Sequence, residues 1–277
     1  MRSAFYNLIN FINTTEVDDV YSNAAKIILE NITKIPGYTI TDVASLCYVS
    51  TATISRLCRK LNYESFADFK MDVTMNLRYF NRDSLRMQFD HQLPVFPVEG
   101  KTTKELFIDH FENIIDNLRA TFNSIQFEEL EEVVDKIHDS HEICFAGNFF
   151  TQSVSMQLQI ELSYLGKRCS AMYPLNGQKA VVKNLTEKDV IIVSSIAGGY
   201  WIYHPDMMRD ISKSSAYKIC ISQVDDFPYK DRFDMNIRVG TDHLSLIGKF
   251  SITYIFEVLE ALYHVKYACD CKKNSDE

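Results

Sequence analysis

Residues 39–63 read TITDVASLCYVSTATISRLCRKLNY and decide the fold of the N-terminal part of the chain. The Thr39-x-x-Asp42 spacing is that of a capping box and predicts the start of a short helix. Ser50 is placed to cap a second helix, because its hydroxyl can accept hydrogen bonds from the free N–H groups of the first turn. The apolar positions of this second helix recur at helical spacing and predict a core-facing side formed by Ile54, Leu57, Cys58 and Leu61.

A tight turn is expected between the two helices. Ala44 is small at the point where the second helix must cross closely, and Val49, five residues later, is expected to point inward. Tyr48 stands where such turns usually carry glycine, because this position takes a positive φ. The pattern predicts a helix-turn-helix with a slightly altered turn.

The outward side of the second helix combines hydroxyls with positive charge. It carries three basic and no acidic side chains, so it suits a recognition helix that contacts base edges and phosphates. The residues expected to bind double-stranded DNA are Ser50, Thr51, Thr53, Ser55, Arg56, Arg59 and Lys60. The alternative is an interaction or scaffold protein in which this helical hairpin is vestigial and its basic side is merely solvated.

The segment VSTATISRLCRKLNYESFADFK (49–70) resembles the RpiR family, also called MurR, of bacterial transcriptional regulators. Cys58-Arg59-Lys60-Leu61 and Phe66-Ala67-Asp68-Phe69-Lys70 fit the family pattern position by position. The resemblance implies a helix-turn-helix domain over residues 1–80 and a SIS domain, an α/β sandwich of the sugar-isomerase type, over 104–270. The expected assembly is a homodimer or homotetramer that binds a double-stranded DNA operator.

The first 80 residues read as helices only, with further helix starts predicted at Thr15-x-x-Asp18 and Ser65-x-x-Asp68. Residues 81–103 lose helical periodicity and contain two of the six prolines, which is typical of a linker. Residues 271–277 read as a solvated tail. The chain is therefore expected to hold two domains joined by a linker.

Beyond the linker, short apolar runs alternate with helical stretches. The runs are EICFA (142–146), RCSAM (168–172), DVIIVS (189–194), YKICIS (217–222) and DMNIRV (234–239). Strand and helix in alternation predict parallel βαβ units in a five-stranded sheet that is covered on both faces. The expected fold is an all-α helix-turn-helix domain followed by an α/β, SIS-like sandwich.

A ligand of an open parallel sheet binds at the carboxyl ends of its strands. The resemblance implies that two loops at this edge hold a phosphosugar effector through Gly147, Asn148, Thr151, Gln152, Ser194, Ser195 and Gly198. Both loops depart from the family pattern, since Phe149 replaces a glycine, Ala197 lacks a hydroxyl and Tyr200 places a bulky ring where threonine is usual. The alternative is a degenerate domain kept for dimerisation alone or for a non-sugar ligand.

An isomerase-type enzyme is the least favoured hypothesis. Sugar isomerisation needs a base beside a carbonyl and usually an acid for ring opening. His138-x-x-His141 precedes the first strand, Glu161 lies within a helix, and His204 and His243 have no partner at a diagnostic spacing. We therefore expect no catalytic residue.

The 277 residues carry a net charge of −8, which disfavours a general nucleic-acid coat, and residues 1–80 are balanced between basic and acidic side chains. The seven cysteines lie mostly in apolar runs and are expected to be reduced, and Cys269 and Cys271 have no histidine nearby, so neither a metal nor a cofactor is expected. No run approaches the roughly 18 apolar residues of a membrane span. We expect a cytoplasmic protein with no membrane partner.

Overall fold

The computed structural model describes residues 4–16, 18–89, 101–148, 150–172, 175–241 and 247–268, and of residues 78–89 and 268 it describes the backbone alone. The chain divides into two compact units, residues 1–90 and 91–277. This division lies within the segment predicted as a linker, and each unit has a hydrophobic core of its own.

The N-terminal unit consists of α-helices joined by short turns. Its elements are α1 (Ala4–Thr14), α2 (Val20–Glu30), a 3₁₀ turn (Ile35–Gly37), α3 (Ile40–Leu46), α4 (Thr51–Lys60) and α5 (Phe66–Phe89). The prediction of an all-helical unit is confirmed for the described residues. Because α5 runs to Phe89, residues 81–89 of the predicted linker are helical.

Capping side chains start α3, α4 and α5 as the sequence predicts. Thr39 and Asp42 form a capping box, in which each side chain accepts the backbone N–H of the other. The Ser50 hydroxyl accepts a hydrogen bond of 3.1 Å from the N–H three residues on. The Ser65 hydroxyl accepts the Asp68 N–H at the same distance. Each of these bonds satisfies a backbone donor that a helix start leaves free.

The prediction that α2 starts at Thr15-x-x-Asp18 is wrong. The helix begins at Val20, and Asp19 is its cap. The Asp19 carboxylate accepts the N–H groups of Tyr21 and Ser22 at 2.8 and 2.9 Å. A charged acceptor at this position is a stronger cap than the threonine hydroxyl farther upstream.

The turn after α3 sets the direction of α4. The Val49 N–H donates to the Ala44 carbonyl at 2.9 Å and the Tyr48 N–H to the Ser45 carbonyl at 3.2 Å, which is the hydrogen-bond pattern of a Schellman motif. Tyr48 takes the predicted positive φ, 55°, and 92% of this residue is exposed. The motif therefore closes on a residue that has a side chain where glycine is usual.

α4 is anchored by its apolar side. The four core positions predicted from the sequence, Ile54, Leu57, Cys58 and Leu61, are at most 2% exposed. They pack in one cluster with buried residues from the other helices of the unit. Since one side of α4 is fixed in this core, its opposite side is held in a defined position at the surface.

The C-terminal unit alternates strands and helices. Its elements are α6 (Thr103–Ser124), α7 (Phe127–Asp139), β1 (Ile143–Ala146), α8 (Phe150–Tyr164), β2 (Cys169–Ser170), α9 (Leu175–Val182), β3 (Val190–Ser195), α10 (Gly199–Tyr203), α11 (Pro205–Lys213), β4 (Tyr217–Ser222), a 3₁₀ turn (Lys230–Arg232), β5 (Met235–Arg238), α12 (Gly248–Tyr263) and a π-helical turn (His264–Ala268). All five predicted strands are present.

The five strands form one sheet in the order β2-β1-β3-β4-β5, and every neighbouring pair is parallel. Apolar side chains of α7, α8 and α12 cover one face, and those of α9, α10 and α11 cover the other. The predicted α/β sandwich is confirmed. The carboxyl ends of the strands meet at one edge, which we call the carboxyl edge. Among the described residues no helix is both long and apolar enough to cross a membrane.

We expect Tyr48→Gly to raise the stability of the N-terminal unit by about 0.5–1 kcal/mol. Glycine avoids the cost of about 1–2 kcal/mol that a left-handed backbone imposes on a residue with a side chain. The greater freedom of glycine in the unfolded chain lowers stability by about 0.5–1 kcal/mol, and the difference is the net gain expected here. Thermal unfolding followed by circular dichroism measures the change.

Tyr164→Gly is the matched control for this substitution. Tyr164 is also exposed, at 84%, but it belongs to α8 and is not among the residues with positive φ. Glycine at this position should lower stability, because glycine has a lower helix propensity than tyrosine. A Tyr48→Gly protein that unfolds at a lower temperature than the parent would contradict the strain at the turn.

Candidate functional site

α4 presents most of the predicted DNA contacts to solvent. Five of the seven residues are exposed, namely Ser50, Thr51, Arg56, Arg59 and Lys60. Thr53 and Ser55 are half-buried, and the Thr53 hydroxyl lies 2.9 Å from that of Ser50. The hydroxyls at the start of α4 therefore stabilise the helix end as well as facing outward.

The basic side chains of α4 are available to a polyanion. In the part of the chain that the structure describes, no acidic side chain pairs with Arg56 or Arg59. The Lys60 ammonium lies 4.9 Å from the centre of the Tyr21 ring. Such a contact is weaker than a charge-assisted hydrogen bond to a phosphate, so all three cations remain able to bind phosphate groups.

The first loop of the carboxyl edge follows β1 and is closely packed. The Asn148 N–H donates to the Thr151 hydroxyl at 3.1 Å, and that hydroxyl donates to the Asn148 carbonyl at 3.0 Å. A Cβ atom on Gly147 would lie 2.4 Å from the Thr151 hydroxyl and 3.2 Å from the Ser194 backbone oxygen. Gly147 is therefore required by the approach of this loop to β3, whereas Phe149 lies outside the described residues.

The second loop follows β3 and turns into α10. The Ser195 hydroxyl accepts the Tyr200 N–H at 3.0 Å. Ala197 and Gly198 both have positive φ, 49° and 76°. One acceptor site of the Ser195 hydroxyl is therefore occupied by the first turn of α10, and within the described residues its hydrogen remains available as a donor.

Tyr200 places its bulky ring in the interior of the domain. Its ring is fully buried beneath the loops, and its hydroxyl donates to the Gln178 side-chain oxygen at 2.8 Å. Gln178 in turn donates to the Gly147 carbonyl at 2.8 Å and accepts the Gly147 N–H at 3.3 Å. Burial raises the pKa of Tyr200 well above its usual value, so the phenol remains a donor. Tyr200 thus ties the second loop to the first.

Two polar atoms near these loops are buried without a hydrogen-bond partner among the described residues. They are the Ser194 hydroxyl and the side-chain oxygen of Gln152. The Gln152 amide nitrogen donates to the carbonyls of Phe145 and Met172 at 3.1 and 3.0 Å. Its two hydrogens are therefore committed to the protein, and Gln152 can offer a ligand only an acceptor.

The candidate bases His138 and Glu161 both lie against the C-terminal part of α12. His138 stacks on Tyr267 with ring centres 3.6 Å apart, just before β1 and so at the opposite end of the strand from the carboxyl edge. Glu161 lies near the end of α8, and its carboxylate is within 4.8 Å of a carboxylate oxygen of Glu260 and a ring nitrogen of His264. Burial lowers the pKa of His204 to about 4, so this imidazole is neutral at ordinary pH.

The remaining sequence-based expectations concern cysteines and one histidine. Four of the five cysteines within the described residues, Cys47, Cys58, Cys144 and Cys220, are buried, Cys169 is half-buried, and all five are free thiols. His243, Cys269 and Cys271 lie outside the described residues. Sequence reasoning missed Gln178, because a lone glutamine on a helix gives no local signal of the backbone it will meet.

Residues 15–78 match the family model described as the helix-turn-helix domain of the rpiR family. The N-terminal unit is a helix-turn-helix domain of this family, as the resemblance implied. The Uncharacterized HTH-type transcriptional regulator TTE0211 of Caldanaerobacter subterraneus subsp. tengcongensis is 23% identical over 220 residues, which cover 79% of this chain and 74% of that protein. The chain spans only 30% of the length of other, longer relatives that are 22% identical to it.

Solved structures similar to this one include the following two. The Vibrio vulnificus NanR protein complexed with ManNAc-6P aligns with a TM-score of 0.50 at 18% identity, over 96% of this chain and 93% of that chain. The sugar isomerase domain of an RpiR transcription factor from Sphaerobacter thermophilus aligns with a TM-score of 0.52 at 20% identity, over 62% and 98%. The C-terminal unit has the fold of a sugar isomerase domain, as predicted.

Tyr200→Phe is expected to lower the stability of the C-terminal unit by about 1–3 kcal/mol. It removes the donor to the buried Gln178 oxygen and leaves that acceptor with only the longer bond from Gly147. The fluorescence of Trp201, the single tryptophan, reports the urea transition of this unit alone. Tyr164→Phe is the control, since its side chain is exposed. Equal midpoints for the two variants would show that the Tyr200 hydroxyl does not brace the loops.

Proposed function

We propose that this chain is a DNA-binding transcriptional regulator of sugar or amino-sugar metabolism whose C-terminal domain senses a phosphosugar. The observation that carries the proposal is the surface of α4. One side of this helix is locked in the core, and the other presents hydroxyls and three cations to solvent. A helix held in this way is suited to enter the major groove of DNA.

Reading an operator requires two copies of α4. Helix-turn-helix dimers place their recognition helices about 34 Å apart, on successive major grooves of a pseudo-palindromic site. We propose that the chain acts as a homodimer or homotetramer in the cytoplasm, with the SIS-type domain supplying the association. Arg56 is placed for bidentate contact with guanine, and Arg59 and Lys60 for contact with phosphates.

The effector proposal rests on the carboxyl edge. Ser194 has a buried hydroxyl with no described partner, between loops that are held in place from beneath. A phosphate oxygen would satisfy this donor, with Ser195, Thr151 and the backbone at Asn148 and Gly198 around it. The ligand named for the NanR neighbour, ManNAc-6P, is of the class proposed here. Gln152 would accept a hydrogen bond from a sugar hydroxyl or amide.

We propose that the domain binds its ligand without converting it. Isomerisation needs a base within reach of the carbon beside the sugar carbonyl. His138 is engaged with an aromatic ring before β1, and Glu161 is near the far end of α8 from the carboxyl edge. The attached helix-turn-helix domain favours a regulator over the isomerases that share this fold.

Arg56→Ala should weaken binding to a duplex enriched from a random library by about 5- to 150-fold and relax the preference at one base position. A bidentate contact contributes about 1–3 kcal/mol. Fluorescence anisotropy with the enriched duplex and single-base variants of it measures both effects. Binding and base preference equal to the parent's would remove Arg56 from the reading surface.

Two further variants sharpen this test. Lys60→Ala should weaken all duplexes alike and lower the salt dependence of binding, because a phosphate contact carries no sequence information. Arg209→Ala is the control: Arg209 is an exposed cation of α11, paired with Asp206 at 2.6 Å, and its loss should leave DNA binding unchanged.

Ser194→Ala should weaken phosphosugar binding roughly tenfold or more while leaving the free protein as stable as the parent. A hydrogen bond to a charged group contributes about 1.5–3 kcal/mol, and the Ser194 hydroxyl makes no hydrogen bond to the described residues. A thermal-shift panel measures both, using ManNAc-6P, fructose 6-phosphate and glucosamine 6-phosphate, each with its unphosphorylated partner.

Ligand at 100 times its Kd should stabilise the parent by about 2.7 kcal/mol. Ser214→Ala is the control, because Ser214 precedes β4 and so lies away from the carboxyl edge. A panel in which no phosphosugar shifts the parent would favour a domain that serves for association or binds another ligand.

A further inference from the structure

We infer that a buried polar cluster on α6, centred on Asn117, transmits the state of the carboxyl edge to the chain segment that leads to the DNA-binding unit. The cluster consists of Asn117 and Thr121 on α6 and Ser251 on α12. This inference rests on the proposed function and concerns how the effector site regulates DNA binding.

α6 is held to the sheet domain in an unusual way. Its only fully buried residues are polar, Asn117 and Thr121, and both are completely inaccessible to solvent. The Asn117 amide donates to the Ser251 hydroxyl, and the Thr121 hydroxyl lies 2.8 Å from the same oxygen. Polar groups buried at this depth require their hydrogen bonds, so the cluster specifies one position of α6 against α12.

The same asparagine holds the carboxyl edge. The Thr241 N–H, just beyond β5, donates to the Asn117 side-chain oxygen at 3.0 Å. A Cβ atom on Gly240 would lie 2.5 Å from this oxygen, and Gly240 has a φ of 64°, so the backbone there is shaped for the asparagine. Both ends of the Asn117 amide are thereby committed, one to the edge of the sheet and one to α12.

A continuous set of contacts joins Asn117 to the proposed effector loops. The Gln223 amide, directly after β4, donates to the Thr241 carbonyl at 3.0 Å. Its neighbour Ser222 is the ladder partner of Ser195, a proposed effector contact on β3. A ligand that shifts the end of β3 therefore acts on β4, then on Thr241 and then on Asn117.

Polar contacts make this connection a switch with discrete positions. A buried amide that leaves its partners must find others or lose the bonds. α6 is also the first described helix after the segment that joins the two units. A change in its position would therefore act on the segment that leads to the N-terminal unit.

The test measures coupling rather than binding alone. In the full-length protein, operator affinity is determined with and without ManNAc-6P, or the phosphosugar that gave the largest shift in the panel, and the ratio of the two Kd values is the coupling factor. Coupling factors of regulators are typically about 5–150. We expect Asn117→Ala to bring the factor to within about twofold of 1, while the operator Kd without phosphosugar and the phosphosugar Kd without DNA each stay within about threefold of the parent's.

Two variants keep the result interpretable. Asn123→Ala makes the same change at an exposed position of α6 and should keep the parent's coupling factor. Ser251→Ala leaves the Asn117–Thr241 bond in place and exchanges one small residue for another. It should therefore fold even if Asn117→Ala fails to fold, and it should also lower the coupling factor. Amide exchange at Thr241 should be protected by the phosphosugar in the parent and not in Asn117→Ala.

The two proposals fail in different ways. A parent that responds to a phosphosugar, with Asn117→Ala or Ser251→Ala responding equally, overturns the coupling role and leaves the proposed function intact. A parent whose operator affinity responds to no phosphosugar overturns the proposed sensing and this inference with it. A coupling factor reduced as much in Asn123→Ala would overturn the assignment to the cluster.

Discussion

Parallel strands that end side by side leave backbone groups that no neighbouring strand can pair, and each buried group of this kind must find a hydrogen bond. In the C-terminal unit, amide side chains meet this requirement. Gln178 serves both backbone groups of Gly147, and Gln152 serves two carbonyls near the ends of β1 and β2. Asn117 and Gln223 serve the two backbone groups of Thr241. The carboxyl edge depends on these bonds for its shape.

Because these backbone groups are already hydrogen-bonded, the carboxyl edge has fewer free groups to offer a ligand. Loops of glycines and hydroxyls leave many donors free, whereas here most donors already have partners within the protein. The Tyr200 ring, which replaces a small residue of the family pattern, fills space beneath the loops rather than above them. On the proposed function, recognition is left to few groups, chiefly Ser194, but the loops that carry them are already ordered. Less conformational entropy is then lost on binding, which offsets part of the reduction in contacts.

The sequence predicted what depends on near neighbours. The caps of α3 and α4, the positive φ of Tyr48 and the five strands follow from spacings of a few residues. The start of α2 was missed, because the spacing of Thr15 and Asp18 also fits a capping box, whereas the cap that forms is Asp19. The brace from Tyr200 to Gln178 and the contact between Asn117 and Ser251 join residues 22 and 134 positions apart. Such pairings depend on how layers of helices settle on the sheet, which no local pattern specifies.

The charge distribution agrees with a protein that selects its DNA rather than coating it. The net charge of −8 opposes association with a polyanion at long range, yet charges farther than about 8 Å from a phosphate are largely screened at physiological salt. On the proposed function, binding is then decided by the cations that touch the duplex, which are those of α4. Because non-specific affinity rises with the number of phosphates neutralised, three cations on one helix give each copy only modest affinity for arbitrary DNA. For the homodimer or homotetramer proposed above, tight binding requires two copies and correct base contacts together, so an effector that alters the spacing of the copies would act where discrimination is greatest.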